Sequence, residues 1–523
     1  MAKADETQEK IAELRKRRER IKGGGGKEAI EKQHHSGKLT ARERLDLLLD
    51  ADSFAEYNMH TTHQSRDFGM AERELPADGA VIGYGKINRR LAWVSSQDFT
   101  VMAGSAGEMH NRKLGKSYER ALEMRVPHVG LYDSAGARFQ EPMAGIYAGG
   151  RWIEAIIRNS GIVPQISALM GPCAGGPTYG PMLTDFIIMT RDTSYMYISA
   201  PGVVKSVTFE EVNHQSLGGA KVHAEISGCC DIIADDDRDC IRIIKELLSY
   251  FPQNNQEQPP FLKTGDDADR TDEELIKIVP ASPKKSYDMH QVIRRVVDNG
   301  NFLEIKRDYA RNIIVGFARM GGWSVGLVAN QPQILSGAID TRASIKAARF
   351  VQFCDAFNIP LVFLCDTPGY LPGKAQEHGG IPREGAKFLY TVADATVPKL
   401  QVVLRKGTGG AYISMGASSF GGDCSLAWPM ANIGLMGAEA AGDIIFRKEA
   451  AQAANPEKLL EIRKKEFTDK FLNIYYTASR QDCDLVDDII EPGETRPRLI
   501  KALEMTVGKK EERPWKKHGN MPT

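Results

Sequence analysis

The sequence repeats itself once, because many matching residues recur at one constant offset in residue number. Pro127 matches Pro360, Asp133 matches Asp366 and Gly136 matches Gly369, each at an offset of 233. One inserted residue then lengthens the offset to 234, which matches Gly175 with Gly409 and Gly176 with Gly410. Solenoid repeats are much shorter than this, so the pattern predicts two copies of one domain. The length of 523 residues agrees, because a single hydrophobic core rarely grows beyond about 300 residues.

Each copy alternates short apolar runs with longer helical stretches, which is typical of α/β units with buried strands. Residues 126–133 and 359–366 are matching apolar runs that end in aspartate, and residues 114–125 and 344–357 have helical patterns. We therefore expect an N-terminal domain over residues 1–255 and a C-terminal domain over residues 286–523. Residues 256–285 are rich in Pro, Gln and Asp and are predicted to be a linker.

The overall composition excludes several classes of protein. The formal net charge is zero, so no nucleic-acid partner or membrane surface is expected. No apolar run approaches the roughly 18 residues that a membrane span requires. The first residues lack the apolar segment of a signal peptide, which predicts a cytoplasmic protein. No Cys-x-x-Cys spacing is present, and no metal site is expected.

Two glycine-rich turns occupy equivalent places in the two copies: the first turn is residues 171–176 and the second turn is residues 407–411. A strand that ends in Gly-Gly and enters a helix can direct successive backbone N–H groups at an oxygen that becomes negative. Glycine allows a ligand to approach the backbone closely because it has no Cβ. The predicted donors are Gly175 and Gly176 in the first turn and Gly410 and Ala411 in the second.

Other functions for these turns are less consistent with the sequence. Neither turn is followed by the Lys-Ser or Lys-Thr of a Walker A phosphate loop, and the second turn lacks the last glycine of a dinucleotide fingerprint. Simple strand-to-helix connections remain an alternative for either turn alone. Their pairing favours two oxyanions stabilised within one enzyme. Asp133 and Asp366 are expected to cap the turns that follow their strands.

Several longer motifs carry a resemblance to a known family, and they extend over nearly the whole chain. They include residues 37–44 (GKLTARER), 97–100 (QDFT), 170–176 (MGPCAGG), 217–220 (LGGA) and 353–360 (FCDAFNIP). With these motifs the chain resembles the carboxyltransferase subunits of biotin-dependent acyl-CoA carboxylases, in particular those of propionyl-CoA carboxylase and methylmalonyl-CoA decarboxylase.

The resemblance implies a fold of two tandem crotonase-like ββα-spiral domains, assembled as a hexamer that is a trimer of dimers. It implies that the N-terminal domain holds acyl-CoA, with the Gly175 and Gly176 amides polarising the thioester oxygen. The C-terminal domain of a neighbouring subunit then holds carboxybiotin, with the Gly410 and Ala411 amides stabilising the ureido oxygen. The cofactors implied are biotin on a separate carrier and coenzyme A as part of the substrate. The chain has no Ala-Met-Lys-Met biotinylation sequence and no ATP motif, so the implied partners are a biotin carboxylase and a biotin carboxyl carrier subunit.

The same resemblance suggests which side chains surround the substrate. The residues expected to line the pocket are Ile413, where the family usually has Asp, and Tyr412, Pro177 and Cys173. Cys173 is expected to be a reduced buried thiol, because no histidine lies nearby in sequence to activate it. The candidate contacts for coenzyme A are Arg138, Ala137, Lys113 and Arg112, for which surface solvation is the alternative.

Three alternatives to a carboxylase subunit remain open from the sequence. The same half-reaction in reverse gives the carboxyltransferase subunit of a sodium-pumping acyl-CoA decarboxylase. A biotin-independent hydratase or isomerase of the crotonase type predicts one oxyanion turn and a catalytic Glu pair. A noncatalytic scaffold subunit would have little reason to keep two donor pairs.

Overall fold

The computed structural model describes residues 2–283, 285–480 and 484–522, with side chains described from residue 6 onward. The chain divides into two compact units between Glu257 and Gln258. The predicted linker is therefore mostly part of the second unit. Leu275 belongs to the hydrophobic core of that unit, and the Arg405 guanidinium donates hydrogen bonds to the carbonyls of Pro280 and Ser282.

The first unit is built on one mixed sheet of eight strands. Its order is β1-β2-β3-β4-β5-β6-β8, and β7 pairs with the far end of β5. The strands are β1 (Ala55–Tyr57), β2 (Ala80–Ile87), β3 (Arg90–Gln97), β4 (His128–Ser134), β5 (Gln165–Ala174), β6 (Phe186–Thr190), β7 (Tyr195–Tyr197) and β8 (Ile232–Ala234). The helices are α1 (Ala2–Lys22), α2 (Lys27–His35), α3 (Ala41–Leu48), α4 (Glu108–Met124), α5 (Pro142–Asn159), α6 (Tyr179–Met182), α7 (Pro201–Thr208), α8 (His214–Gly218), α9 (Ala220–Val222) and α10 (Asp237–Tyr250).

The second unit repeats this plan with the order β9-β10-β11-β12-β13-β14-β16, and β15 pairs with β13. The strands are β9 (Phe302–Ile305), β10 (Ile313–Met320), β11 (Trp323–Asn330), β12 (Leu361–Thr367), β13 (Lys399–Thr408), β14 (Cys424–Ala427), β15 (Asn432–Gly434) and β16 (Asp488–Ile489). The helices are α11 (Leu275–Ile278), α12 (Met289–Val296), α13 (Thr341–Ala356), α14 (Lys374–His378), α15 (Ile381–Asp394), α16 (Gly409–Ser414), α17 (Ala438–Ile445), α18 (Arg447–Ala451), α19 (Pro456–Phe471), α20 (Ile474–Ser479) and α21 (Thr495–Thr506).

The strand boundaries confirm the internal duplication. Strands β2, β3 and β4 begin at residues 80, 90 and 128, and β10, β11 and β12 begin at residues 313, 323 and 361, always at the same offset. Strand β5 begins at residue 165 and β13 at residue 399, which is this offset with one insertion. In both units the first strands pair antiparallel and the later strands pair parallel. The predicted α/β class is therefore confirmed.

Strands β5 and β13 position the two glycine turns. The first half of β5 pairs with β6, whereas its last residues, from Pro172 to Ala174, pair with β7. Strand β13 changes partner in the same way, from β14 to β15. The carboxyl end of each long strand thus extends past the main sheet, where a turn into a short helix is reachable by a ligand.

Candidate active site

The first turn leaves strand β5 at a glycine in a conformation that other residues rarely adopt. Gly175 has φ of 74°, and its N–H donates a hydrogen bond to the Tyr197 carbonyl at 3.0 Å. Gly176 follows, is exposed, and has no atom within 4 Å of the position that a Cβ would take. The Gly176 N–H makes no hydrogen bond within the described part of the chain. The structure therefore gives the two predicted donors different roles, since Gly175 holds the turn while the Gly176 N–H stays open.

A second loop lies against this turn. Gly136 has φ of 114°, and a Cβ there would be 2.8 Å from the Ala174 carbonyl oxygen. The neighbouring Ala137 is exposed and forms an isolated parallel bridge with Ala106. Among the described residues, no partner accepts a hydrogen bond from the Ala137 N–H. The close approach of the two loops places a second open backbone donor near the Gly176 turn.

The second turn has the same construction. Gly409 has φ of 58° and begins helix α16, so the N–H groups of Gly410 and Ala411 belong to its first turn and have no acceptor within the helix. Across the described residues these two N–H groups make no other hydrogen bond either. Gly410 is exposed, whereas the Ala411 side chain is fully buried. The predicted donor pair is therefore open at this turn.

Tyr370 borders the second turn, and it was not among the predicted site residues. It forms an isolated parallel bridge with Ile339, which is the counterpart of the Ala106–Ala137 bridge in the first copy. A Cβ on Gly410 would lie 3.5 Å from the Tyr370 ring. The internal duplication could have identified this residue, because it aligns Tyr370 with Ala137, which was one of the predicted site residues.

The two aspartates at the ends of β4 and β12 are buried in ion pairs, so the expectation that they cap turns is wrong. The Asp133 carboxylate lies 2.9 Å from both the Lys38 ammonium and the Arg44 guanidinium. The sheet register shifts at this aspartate, and Gly171 faces it so closely that a Cβ there would overlap the carboxylate. Asp366 has the equivalent place and pairs with Arg405. Both carboxylates are neutralised from within their own domains.

Two of the predicted coenzyme A contacts have buried cations. The Arg138 guanidinium donates to the Asp78 carboxylate at 2.7 Å and to the Glu141 carboxylate at 3.0 Å. The Lys113 ammonium donates to the Ala77 carbonyl at 2.8 Å, and burial lowers the pKa of Lys113 to about 8. In the second copy, Lys346 occupies the same place and donates to three carbonyls. Arg138 and Lys113 therefore hold loops together.

The third cation, Arg112, is exposed on α4 and pairs with Glu108 at 2.9 Å. Exposed pairs of this kind contribute little to stability, so breaking this pair would cost little free energy.

The side chains predicted to line the pocket are mostly buried behind the turns. Cys173 is 1% exposed and belongs to the core of the first unit, where burial raises the pKa of its thiol to about 12. Pro177 is also buried. The Tyr412 hydroxyl donates to the Leu485 carbonyl at 3.1 Å, which anchors α16. Ile413 alone of these four is partly exposed.

Within the described ranges, no group of three or more His, Cys, Asp and Glu side chains is arranged to hold a metal ion. A helix that is long and apolar enough to cross a bilayer is likewise absent from the described residues.

Comparisons with known proteins assign a family. The model of the carboxyl transferase domain matches residues 32–521. The carboxyltransferase subunit of propionyl-CoA carboxylase from Haloferax mediterranei is 47% identical over 98% of this chain and 99% of its own length. The α subunit of methylmalonyl-CoA decarboxylase from Propionigenium modestum is also 47% identical, over 98% of this chain and 99% of its own.

A solved structure gives the same result for the fold. The transcarboxylase 12S crystal structure, described as a hexamer assembly with hydrolysed methylmalonyl-coenzyme A bound, is 48% identical and superposes with a TM-score of 0.95 over 98% of both chains. The expected fold of two tandem crotonase-like domains is confirmed by this likeness.

Proposed function

The chain belongs to the carboxyl transferase family and is a carboxyltransferase, and we propose that it moves a carboxyl group between biotin and the α-carbon of a short-chain acyl-CoA. The observation that carries this proposal is the pair of equivalent turns, each with an exposed glycine where a long strand passes into a short helix. One reaction that requires two oxyanions, one on a thioester and one on a cyclic urea, matches this duplicated construction.

The first turn is proposed to bind the thioester oxygen of the acyl-CoA. The Gly176 N–H, with the exposed Ala137 N–H on the adjoining loop, donates to this oxygen as the α-carbon loses a proton and an enolate develops. Gly175 contributes by holding the turn, because its own N–H is bonded to the Tyr197 carbonyl. Charge that develops in the transition state is stabilised most by donors that are already oriented.

The second turn is proposed to receive biotin presented by another subunit. When bound there, biotin would supply the carboxyl group and a basic nitrogen for the α-proton of the acyl-CoA. The residues present fit such a group, because the N–H groups of Gly410 and Ala411 are open and the Tyr370 ring provides an apolar wall. These N–H groups and the N-terminal partial charge of α16 stabilise negative charge on the urea oxygen.

The side chains near the turns support a mechanism that uses backbone donors instead of an ionisable base. The Cys173 thiol is protonated at neutral pH because burial raises its pKa to about 12. Asp133 and Asp366 are paired with buried cations. A base supplied by the second substrate explains why none of these groups needs to be free.

Coenzyme A recognition is proposed to use exposed cations such as Arg112, since the Arg138 and Lys113 cations are occupied internally. Ile413 is proposed to form part of the wall that contacts the acyl group. An apolar side chain there favours a short aliphatic acyl chain over a polar one.

The reverse direction is a second candidate function. The methylmalonyl-CoA decarboxylase α subunit of Propionigenium modestum matches as well as the carboxylase subunit does, with 47% identity in each case. In either direction we propose that this chain works with a biotin carboxyl carrier subunit, and in the carboxylase with a biotin carboxylase. We also propose that it assembles as a homohexamer, because the similar transcarboxylase 12S structure is described as a hexamer assembly.

The test is to incubate the purified chain with methylmalonyl-CoA and free biotin and to follow decarboxylation. We expect turnover that depends on biotin, with malonyl-CoA and longer branched analogues as a panel for the acyl group. Turnover at the same rate without biotin would contradict the proposal and favour a biotin-independent crotonase-type activity.

A further inference from the structure

The Tyr370 ring lies between two glycines of the second unit. A Cβ would be 3.2 Å from this ring if placed on Gly385 of α15, and 3.5 Å if placed on Gly410 of α16. Any larger side chain at Gly385 would displace the ring, because contacts near 3.2 Å are already tight. The ring therefore has a defined position beside the second turn, and its hydroxyl reaches past Gly410 to the next turn of α16.

The Tyr370 hydroxyl starts a short chain of hydrogen bonds. It lies 2.7 Å from the Ser414 Oγ, and the Ser414 hydroxyl in turn donates to the Gly410 carbonyl oxygen at 2.8 Å. Because a serine hydroxyl has one proton, the Tyr370 O–H must then be the donor between these two residues. Its other contact, with the Gly385 carbonyl at 3.3 Å, is long for an O–H···O bond and competes weakly. Burial raises the pKa of Tyr370 to about 12, so its proton is present at neutral pH.

The chain of hydrogen bonds ends on the peptide group that contains the Ala411 N–H. The Gly410 carbonyl and the Ala411 N–H belong to one planar amide, whose electrons are delocalised over both. A hydrogen bond accepted by the carbonyl withdraws electron density and makes the N–H a stronger donor. It also restrains rotation of this amide, which determines where the N–H points.

The first copy lacks this arrangement. The positions equivalent to Tyr370 and Ser414 are Ala137 and Gly180. A Cβ on Gly180 would overlap the Trp152 ring, so no serine fits there. The duplicated turns therefore share their backbone construction, while the hydroxyl pair is present only at the second.

We propose that Tyr370 and Ser414 are positioning residues that orient the Ala411 N–H and strengthen it toward a negatively charged oxygen. This inference rests on the proposed function of the second turn as the site for biotin. Neither hydroxyl needs to touch a substrate, since both act through the Gly410–Ala411 amide. A stronger N–H donor stabilises a negatively charged acceptor oxygen more than a neutral one. We therefore expect the loss of either hydroxyl to lower kcat more than it weakens the binding of neutral biotin.

The experiment compares Tyr370→Phe, Ser414→Ala and the double variant in the biotin-dependent decarboxylation of methylmalonyl-CoA by the full chain. We expect each single variant to lower kcat about threefold to tenfold, well below the ~100-fold loss for removal of a whole oxyanion donor. The KM for methylmalonyl-CoA should not change. The double variant should equal Ser414→Ala alone, because Tyr370 acts through Ser414.

A second readout uses the protein without turnover. Equilibrium dialysis of labelled biotin against each variant should give a Kd within about twofold of the wild type, because neutral biotin gains little from a stronger donor. A Kd that weakens by the same factor as kcat would overturn the proposal, since it would indicate a distorted turn.

The matched control is Ser344→Ala. Ser344 is fully buried in α13, and its hydroxyl donates to the carbonyl of Asp340, four residues earlier, at 2.9 Å. The Ser344→Ala variant therefore loses the same kind of hydrogen bond as Ser414→Ala, but on a different helix. It should leave kcat unchanged. If the wild type is active and both Tyr370→Phe and Ser414→Ala have a normal kcat, the role of these two residues is contradicted, while the proposed function of the chain is not. A wild type without biotin-dependent turnover contradicts the proposed function itself.

Discussion

The Asp133 carboxylate lies 2.9 Å from the Arg44 guanidinium, and both side chains are fully buried. Arg44 also donates to the Asp237 carboxylate at 2.8 Å and to the Met170 carbonyl at 3.0 Å. Asp133, at the end of β4, is thus one member of a network that joins α3, α10 and β5. The network sets the position of the residues that lead into the first glycine turn. Asp133 therefore affects the site although its carboxylate takes no part in the reaction.

Replacing Asp133 with Asn should destabilise the protein strongly, because Lys38 and Arg44 would then be buried with one partner fewer. We expect a loss of about 3–5 kcal/mol in the free energy of unfolding, measured by urea denaturation. Asp235→Asn is the control, since its pair with Arg191 is exposed and should be worth less than about 1 kcal/mol. Normal stability with abolished activity would instead indicate that Asp133 acts as a base.

Alanine substitutions should separate the two glycines of the first turn. Gly175→Ala should lower stability by about 1 kcal/mol or more, because φ of 74° strains any residue with a Cβ. Gly176→Ala should leave the melting temperature unchanged, since its Cβ enters open space. Its methyl group would occupy the approach to the N–H, so kcat/KM should fall on the order of 100-fold. Full activity in Gly176→Ala would remove this N–H from the mechanism.

The cations predicted to contact coenzyme A should respond differently to mutation. Arg112→Ala should raise the KM for the acyl-CoA about fivefold, or ~1 kcal/mol, with kcat unchanged, because binding to a phosphate is equal in the ground and transition states. Arg138→Met should instead lower stability by about 3–5 kcal/mol, since it leaves Asp78 buried without its cation. Steady-state kinetics and thermal unfolding of both variants distinguish a ligand contact from a structural one. A raised KM in a stable Arg138→Met variant would contradict this division.

Ile413→Asp should change the acyl preference. A carboxylate in the wall of the pocket disfavours longer aliphatic chains, because desolvating it costs free energy that an isoleucine does not require. The relative kcat/KM values for malonyl-, methylmalonyl- and ethylmalonyl-CoA measure this. Ile445→Asp, at an exposed isoleucine on α17, serves as the comparison. An unchanged ranking of substrates would exclude Ile413 from the pocket.

His290 should make stability fall as the pH rises above 6.5. The hydrogen bond from its ring to the Glu304 carboxylate, helped by Asp288, raises the pKa of His290 above the usual 6.5. A raised pKa in the folded state contributes stability that is fully present below pH 6.5 and is lost as the pH rises through the folded pKa. Urea unfolding between pH 6 and pH 9 should show this decrease in the wild type and not in His290→Gln. An identical pH dependence in both proteins would contradict the assignment.

Features that depend on order along the chain could be predicted before the fold was known. The constant offset between matching residues predicted two copies of one domain, and the strand boundaries of the two sheets repeat at that same offset. The position of each glycine turn at the end of a strand also followed, because strand, turn and helix are adjacent in sequence. These features are specified locally, by periodicity and by backbone preference.

The partners of the polar groups, in contrast, emerged only from the folded chain. Asp133 meets Lys38 and Arg44, which are 95 and 89 residues away, and the Gly175 N–H is taken by Tyr197 across a strand pair. Arg138 looked like a surface cation in sequence, but it is 2% exposed because Asp78 and Glu141 converge on it. A polar group is satisfied by whatever the fold brings within about 3 Å, and that depends on how sheets and loops pack rather than on its neighbours along the chain.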